Sequence, residues 1–325
     1  MAKKTRKHAL CEKHPLIAAA LGLILPAIFI SLSSLAKTVS DDAAYIAMII
    51  ASIVTLILFI LFMMPFLIVV FNSMRTNQDI INQPIGLPTD IAQIGRNIGE
   101  IWNNPNFNFL SALRDSIIIT VISLAVISIF SSMAAWVLVR NKTKWSNLLF
   151  MSYVAAMVIP FQVVMFPLLT WFKSVGDFLG IPMLRSYQGI IFAYLGFGEA
   201  MSIFIFHGFI KGVPLELEEA ADIDGCSRAG TFFRIVLPLL QPVFVTVLVL
   251  NGLWIWNDYL LPLLVLGSSG NIRTIPLAVQ GFNGAYVKQW HLIMTSTLLA
   301  MLPIVILYLF AQKYIVQGMV DGSIK

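Results

Sequence analysis

Six stretches of this chain, each about twenty residues or a little longer, hold no more than two charged residues apiece: roughly 46–71, 113–139, 148–171, 188–210, 239–262 and 291–311. A helix of that length crosses roughly 30 Å of hydrocarbon. Hydrocarbon offers no water to the backbone, so only a helix or a closed barrel can satisfy its N–H and C=O groups there. The residue alternation that a barrel requires is absent. What remains is an all-α, polytopic membrane bundle with six core spans. Composition agrees: 58% of the 325 residues are hydrophobic and 11% are charged, against about 25% charged in soluble domains.

The chain divides along these spans. Residues 1–45 form an N-terminal extension, and 46–112 hold the first core span and a polar loop rich in Pro and Asn. Residues 113–311 make the core domain, and 312–325 a short tail. Within the extension, 15–36 carry no charge and are long enough to span. We read them as an extra hydrophobic helix. Spanning would put the basic Lys3, Lys4, Arg6, Lys7 and Lys13 outside, against the usual bias of Lys and Arg toward the cytoplasm, whereas an interfacial or re-entrant helix would keep them inside. A cleaved signal peptide ending near Ser34-Leu35-Ala36 would put the loop at 211–238 outside, and that reading is rejected. The other loop cations decide little, since eight fall on one side and seven on the other. The net charge of +5 therefore reflects topology and gives no reason to expect nucleic acid. Cys11 and Cys226 read as reduced thiols with no framework role.

One polar segment stands out between two spans. It reads Glu219-Ala220-Ala221, three residues including Asp222, Gly225, nine residues, then Ile235-Val236-Leu237-Pro238. Pro214 suits the start of a helix, and Glu216, Glu218 and Glu219 suit its positive N-terminal end. Gly225 sits where a left-handed residue would end that helix, and Ser227 where a cap would begin another. The expectation is helix, glycine corner, helix, lying along the membrane face at 211–238.

This segment, E-A-A-x3-G-x9-I-x-L-P, resembles the cytoplasmic signature of the membrane subunits of bacterial ABC importers. The likeness extends over roughly 46–325 and is greatest to the carbohydrate-uptake, MalG-like branch. Trp256-Asn257-Asp258-Tyr259, Thr274-Ile275-Pro276-Leu277 and the tail Gly318–Lys325 carry it. The resemblance implies a type I importer fold in a bacterial inner membrane, with a cytoplasmic C-terminus and import by alternating access. It implies a second homologous permease, two ATP-binding subunits, an extracytoplasmic solute-binding protein and a carbohydrate substrate. It implies that Glu219, Ala220, Ala221, Asp222, Gly225, Ile235, Leu237 and Pro238 couple to the ATPase, and that Gly322 and Lys325 reach its dimer interface. ATP and Mg would be bound by that partner, with no cofactor on this chain.

Polar groups within the spans are candidates for the translocation path, because a charge there must face a cavity or a partner. Glu199 is the foremost, followed by Gln162, Asn251, Asn257 and Asp258. Trp254 and Trp256 beside Asn257 suit a sugar ring, although Trp at a span end commonly anchors at the interface. His207 reads as a packed histidine. No His-Glu-x-x-His or cysteine-pair spacing suggests a metal, and no glycine-rich phosphate loop suggests ATP hydrolysis by this chain. An ion-driven transporter would need buried carboxylates in paired repeats, and only Glu199 fits. An intramembrane serine protease would rest on Gly267-Ser268-Ser269-Gly270 with His291, which reads better as a turn.

Overall fold

The computed structural model describes residues 41–104, 108–268, 270–283 and 288–323, with side chains left aside at 41–45, 48, 307 and 310–323. The segment at 15–36 and Lys325 lie outside the described residues. The chain falls into two compact units, Met1–Ile94 and Gly95–Lys325.

The described part of the first unit is built on α1 (Asp41–Ser73), whose Ile49–Ser73 portion is strongly apolar, its most apolar eighteen-residue stretch having a mean hydropathy of 3.1. None of that eighteen-residue stretch is buried within the chain, as suits a helix whose solvent is lipid or a partner, whereas Asn72 and Ser73 at the end of α1 are buried. The turn after α1 is held by Arg75, which sequence alone marked only as a loop cation. Its guanidinium is buried and donates to Asn72 Oδ1 at 2.9 Å and to the carbonyls of Gln83 and Asp79 at 2.6 and 2.8 Å. Asn72 closes the ring by donating to the Pro84 carbonyl. Three fixed donors thus fold 72–86 around a short α2 (Asn77–Asn82), capped by Thr76. The polar loop expected here is a built turn.

The second unit takes in all but the first two residues of α3 (Gln93–Trp102), and then α4 (Phe109–Arg140), α5 (Lys144–Ala156), α6 (Phe161–Leu179), α7 (Tyr187–Ile210), α8 (Glu216–Ile223), α9 (Arg228–Leu239), α10 (Gln241–Asn257), α11 (Leu260–Leu266), α12 (Ile275–Val279) and α13 (Trp290–Ser323). No strand occurs among the described residues; Asn283 and Lys288 form one isolated bridge.

The central contact is α4 against α7, with α10 packed on both. Ala112, Ser116, Ile119, Ser123, Ile127, Ser131 and Ala135 recur every three or four residues and are all buried, which puts them on one face. Five of these seven are Ala or Ser, because lipid gives no hydrophobic drive between helices and close van der Waals approach replaces it. Gly198 on α7 shows the closeness. A Cβ there would lie 2.8 Å from Ile127 Cδ1 and 2.9 Å from Asn251 Oδ1.

Two expected spans are broken. The stretch expected at 148–171 is α5 and α6, bent by 108°. Pro160 is the cause: it lacks an N–H, and it pushes Ile159 out of the helical region. The stretch expected at 239–262 starts on the last residue of α9, bends by 78° into α10 and leaves that helix after Asn257. There Asp258 turns extended, and its Oδ1 accepts from the Leu260 and Leu261 N–H groups to start α11. The stretches at 46–71, 113–139 and 188–210 each lie within one helix long and apolar enough to cross a membrane. The last, 291–311, lies in α13, of which Trp290–Ile306 is one apolar stretch. The helix then continues to Ser323, where a separate tail was expected.

Gly189, at the start of α7, gives a test of this packing. A Cβ there would fall 1.6 Å from the Met183 carbonyl oxygen, which is backbone and cannot swing aside. Gly189→Ala should lower the thermal stability of the detergent-purified chain by about 1–3 kcal/mol. Gly196→Ala, with nothing within 4 Å, should leave it unchanged. Equal melting of the two variants would refute the packing described.

Candidate coupling site

The segment 211–238 folds as two helices around a glycine corner. Three carboxylates, Glu216, Glu218 and Glu219, occupy the first turn of α8, where they meet the positive helix end. Its last turn closes by a Schellman arrangement: the Gly225 N–H donates to the Asp222 carbonyl at 3.1 Å, and the Cys226 N–H to the Ala221 carbonyl at 2.9 Å. Gly225 takes φ +76°, the left-handed conformation that any Cβ disfavours. Two residues on, Ser227 Oγ accepts from the Gly230 N–H and caps α9. Residues Phe232–Val236 then form a wide π turn. It lies just before Pro238, whose ring would press on the Arg234 carbonyl in a regular helix.

The corner is tied to the bundle by Glu218, a residue that sequence reasoning noted only as one acid among several. It is buried at the foot of α4. Its Oε1 accepts from Arg140 Nε at 2.9 Å and Nη2 at 2.7 Å, and its Oε2 from Trp136 Nε1 at 3.0 Å. Arg140 Nη2 also donates to the Val213 carbonyl at 3.0 Å, fixing the chain just before α8. Phe232 of α9 lies against the Trp136 ring, with centroids 5.3 Å apart. Two guanidinium N–H groups on one carboxylate oxygen and an indole N–H on the other set direction as well as distance, and their charge-assisted bonds are the stronger kind. Helix α8 is therefore held in one orientation against α4, and α9 is held beside it.

This anchoring sorts the motif. Glu219, Ala220, Asp222 and Gly225 are exposed. Ala221, grouped with the docking positions by resemblance, is only 3% exposed; facing inward with Glu218, its small size lets α8 sit close to the bundle. Ile235 and Leu237 are half-buried, Pro238 is exposed, and Gly322 lies in α13. The outer face of α8 also carries Leu217 and Ile223, the latter 86% exposed. A rigid helix showing small, acidic and apolar groups to one side has the form of a docking surface.

The path candidates do not gather into one cluster. Glu199 is half-buried on α7 with no hydrogen-bond or ion-pair partner among the described residues, within electrostatic reach of Tyr153 on α5. Asn251 is fully buried and donates to Ser202 Oγ at 2.9 Å and to the Val247 carbonyl at 3.0 Å. As placed, it ties α10 to α7. Gln162 is exposed at the start of α6, and Asn257 is exposed with its amide on the Leu253 carbonyl. Asp258, besides starting α11, accepts from the buried Tyr194 hydroxyl at 3.2 Å. Trp256 is in the core and donates to the Ala300 carbonyl, whereas Trp254 meets Tyr194 edge-on and stays partly exposed.

Residues 127–321 match the family described as the binding-protein-dependent transport system inner membrane component. The chain is 40% identical over 270 residues, 83% of its length and 94% of the relative's, to a probable starch degradation products transport system permease protein, AmyC, of Thermoanaerobacterium thermosulfurigenes. It is 32% identical over 279 residues (82% of this chain, 93% of the relative) to the multiple sugar-binding transport system permease protein MsmG of Streptococcus mutans. It is also 32% identical over 262 residues (80% and 91%) to the melibiose/raffinose/stachyose import permease protein MelC of Bacillus subtilis. The fold matches a chain of a bacterial ABC transporter involved in the import of the acidic polysaccharide alginate, with TM-score 0.71 and 18% identity, covering 85% of this chain and 99% of that one. The chain belongs to the binding-protein-dependent transport system inner membrane component family.

It is thus a multi-pass inner-membrane permease subunit of an ABC importer, and not itself an enzyme. Membership implies a separate ATPase, a solute-binding protein and a second permease. The ion-driven and protease readings are not favoured. His291, offered for the latter, pairs with Glu100 at 3.0 Å.

Removing Arg140 leaves a buried carboxylate with one indole donor. Arg140→Ala should destabilise the 213–225 segment by about 2–4 kcal/mol, short of the full range for an enclosed pair because the guanidinium keeps some exposure. Hydrogen exchange of 216–225 should quicken while α4 and α7 stay protected. Unchanged exchange would show that Glu218 does not hold the loop.

Proposed function

We propose that this chain translocates a sugar or oligosaccharide, and that the exposed face of α8 and its glycine corner receives one of two ATP-binding subunits. The observation that carries the coupling reading is the fixed orientation of α8, set by Glu218 on Arg140 and Trp136. A partner pushing on a loosely held loop would move only the loop. Pushing on α8 moves α4, and with it α7. ATP and Mg belong to the partner, whose closure swings the bundle between inward- and outward-facing states. Substrate acts through its different affinity for those states.

In this reading Glu219, Ala220, Asp222 and Gly225 meet the ATPase, with Ile223 as an apolar knob among them. The 211–238 loop and the C-terminus face the cytoplasm, and the end of α13 with Gly322 and Lys325 approaches the ATPase dimer. A solute-binding protein delivers substrate at the opposite face. The sugar class is supported by the sugars for which the bacterial relatives AmyC, MsmG and MelC are named. Glu199 is the leading polar group for the path, since its carboxylate has no partner among the described residues. Asn257, Gln162 and Asp258 stand near the helix breaks, and Asn251 serves between helices.

Two variants test the coupling. Gly225→Val has room for its side chain, since a Cβ would meet nothing within 4 Å, but not the φ of +76°. It should abolish substrate-stimulated ATP hydrolysis of the assembled transporter while the permease still reaches the membrane. Glu219→Lys should lower the amount of ATPase co-purified in mild detergent by tenfold or more. Full ATPase retention and normal uptake in both variants would defeat the proposal.

A further inference from the structure

Beside the coupling loop the second unit carries a feature that coupling does not use. A cavity of about 660 Å³ opens where α4 ends, α5 begins and α7 ends. Lys142, Thr143, Ser146, Asn147 and Lys211 line it on the polar side. Lys142 and Lys211 have no acidic partner among the described residues, and Glu216 is the one carboxylate in the lining. A second cavity of about 570 Å³ shares three of its walls, Phe150, His207 and Lys211, and is otherwise formed largely by apolar groups such as Phe204, Phe209, Pro242 and Val243.

His207 stands at the junction. It is 8% exposed, stacked on Phe150 with centroids 3.7 Å apart, and lines both cavities. It makes no hydrogen bond among the described residues, so a buried polar ring is left available to a ligand. Trp145, 75% exposed in the first turn of α5, marks the level at which such side chains meet a membrane–water boundary. A mouth of two unpaired lysines and several hydroxyl and amide donors, leading into an apolar groove, matches a molecule with an anionic phosphate at one end and hydrocarbon at the other.

We infer that this paired cavity binds an anionic phospholipid of the cytoplasmic leaflet. Its phosphate is held by Lys142, Lys211 and His207, and an acyl chain lies along Phe150, Phe204 and Phe209. The leaflet assignment rests on the reading above that 211–238 faces the cytoplasm. A lipid seated here touches the end of α4 beside Arg140 and the turn before α8, the two places that orient the coupling helix. It would stiffen the lever without touching the docking face.

Native mass spectrometry of the full chain in mild detergent tests this, with dioleoyl phosphatidylglycerol as probe and dioleoyl phosphatidylcholine and glycerol 1-phosphate as comparators. Phosphatidylglycerol should be retained at least tenfold more strongly than phosphatidylcholine. Lys142→Ala with Lys211→Ala should weaken it roughly thirtyfold, about fivefold per lysine, and leave phosphatidylcholine unaffected. Gly208→Leu fills the apolar groove from a position where a Cβ meets nothing within 4 Å, and should weaken phosphatidylglycerol without lowering the melting temperature. Equal retention of the two lipids, or indifference to the lysine pair, would overturn the proposal. Displacement of the lipid by equimolar glycerol 1-phosphate would overturn it in favour of a soluble phosphate ligand. Sidedness is tested separately by a membrane-impermeant maleimide on Cys226 in a Cys11→Ser background. Labelling in inverted vesicles alone supports the cytoplasmic leaflet. Labelling in intact cells would overturn the leaflet assignment and the orientation under it, whatever the lipid titration shows.

Discussion

Everything in the second unit is arranged around the close approach of α4 to α7. In lipid the two helices gain little by hiding apolar surface from each other, because the hydrocarbon is equally apolar. What they gain is dispersion contact, which falls steeply with distance. Hence the alternation of Ser and Ile along α4 and the bare Gly198 on α7. The closeness has a cost. The hydroxyls of Ser123, Ser128 and Ser131, and the Asn251 Oδ1, are buried without a hydrogen-bond partner among the described residues. Unpaired polar atoms in a tight seam weaken it compared with a fully apolar one.

The same helix that runs through this seam ends in Arg140, and that ending gives the loop its meaning. A short helix such as α8 has too few residues to be stable alone in water. Its caps stop it at the right places, but they do not say where it points. Direction comes from the fork of Arg140 on Glu218, with Trp136 on the second oxygen. The chain thus separates two tasks within eight residues. Glu218 and Ala221, three apart, face inward and fasten the helix, while Glu219, Ala220 and Ile223 face outward.

The sequence made some of this legible and hid the rest, along a physical line. Helix ends are decided by a few neighbouring residues, so Gly225 and Ser227 could be read as stop and start, and both have the expected geometry. The three uninterrupted long helices were readable from charge-free length. Pro160 is an equally local signal, yet it lies inside a charge-free run long enough to span, so sequence alone reads 148–171 as one helix where the structure bends by 108°. The Glu218–Arg140 pair joins residues 78 apart in sequence, and no periodicity predicts which of four nearby acids turns inward. Arg75 was similarly hidden, since a guanidinium that organises a turn and one that faces solvent look alike in a string of letters. Asn251 looked like a path residue because polar groups in spans often are. Only its enclosure between α7 and α10 shows what its amide bonds.

The broken helices show how the chain keeps its backbone donors paired where a helix stops. Irregular backbone at membrane depth is tolerated where protein covers it or where it lines water, and not against lipid tails. Between α5 and α6 the chain leaves helical structure at Met157–Pro160, yet Met157, Val158 and Ile159 are 45%, 80% and 53% exposed. Their N–H groups nevertheless donate to the Tyr153, Ala155 and Ala156 carbonyls, and Pro160 has no N–H to satisfy, so the donors of this turn are paired locally while its apolar side chains point outward. The other break, at Asp258, differs in character: its carboxylate caps the next helix and holds Tyr194, so its polar groups are satisfied from within. The two breaks thus reach the same end by different means: at 157–160 turn bonds of the backbone pair the N–H groups, and at Asp258 a side chain does so.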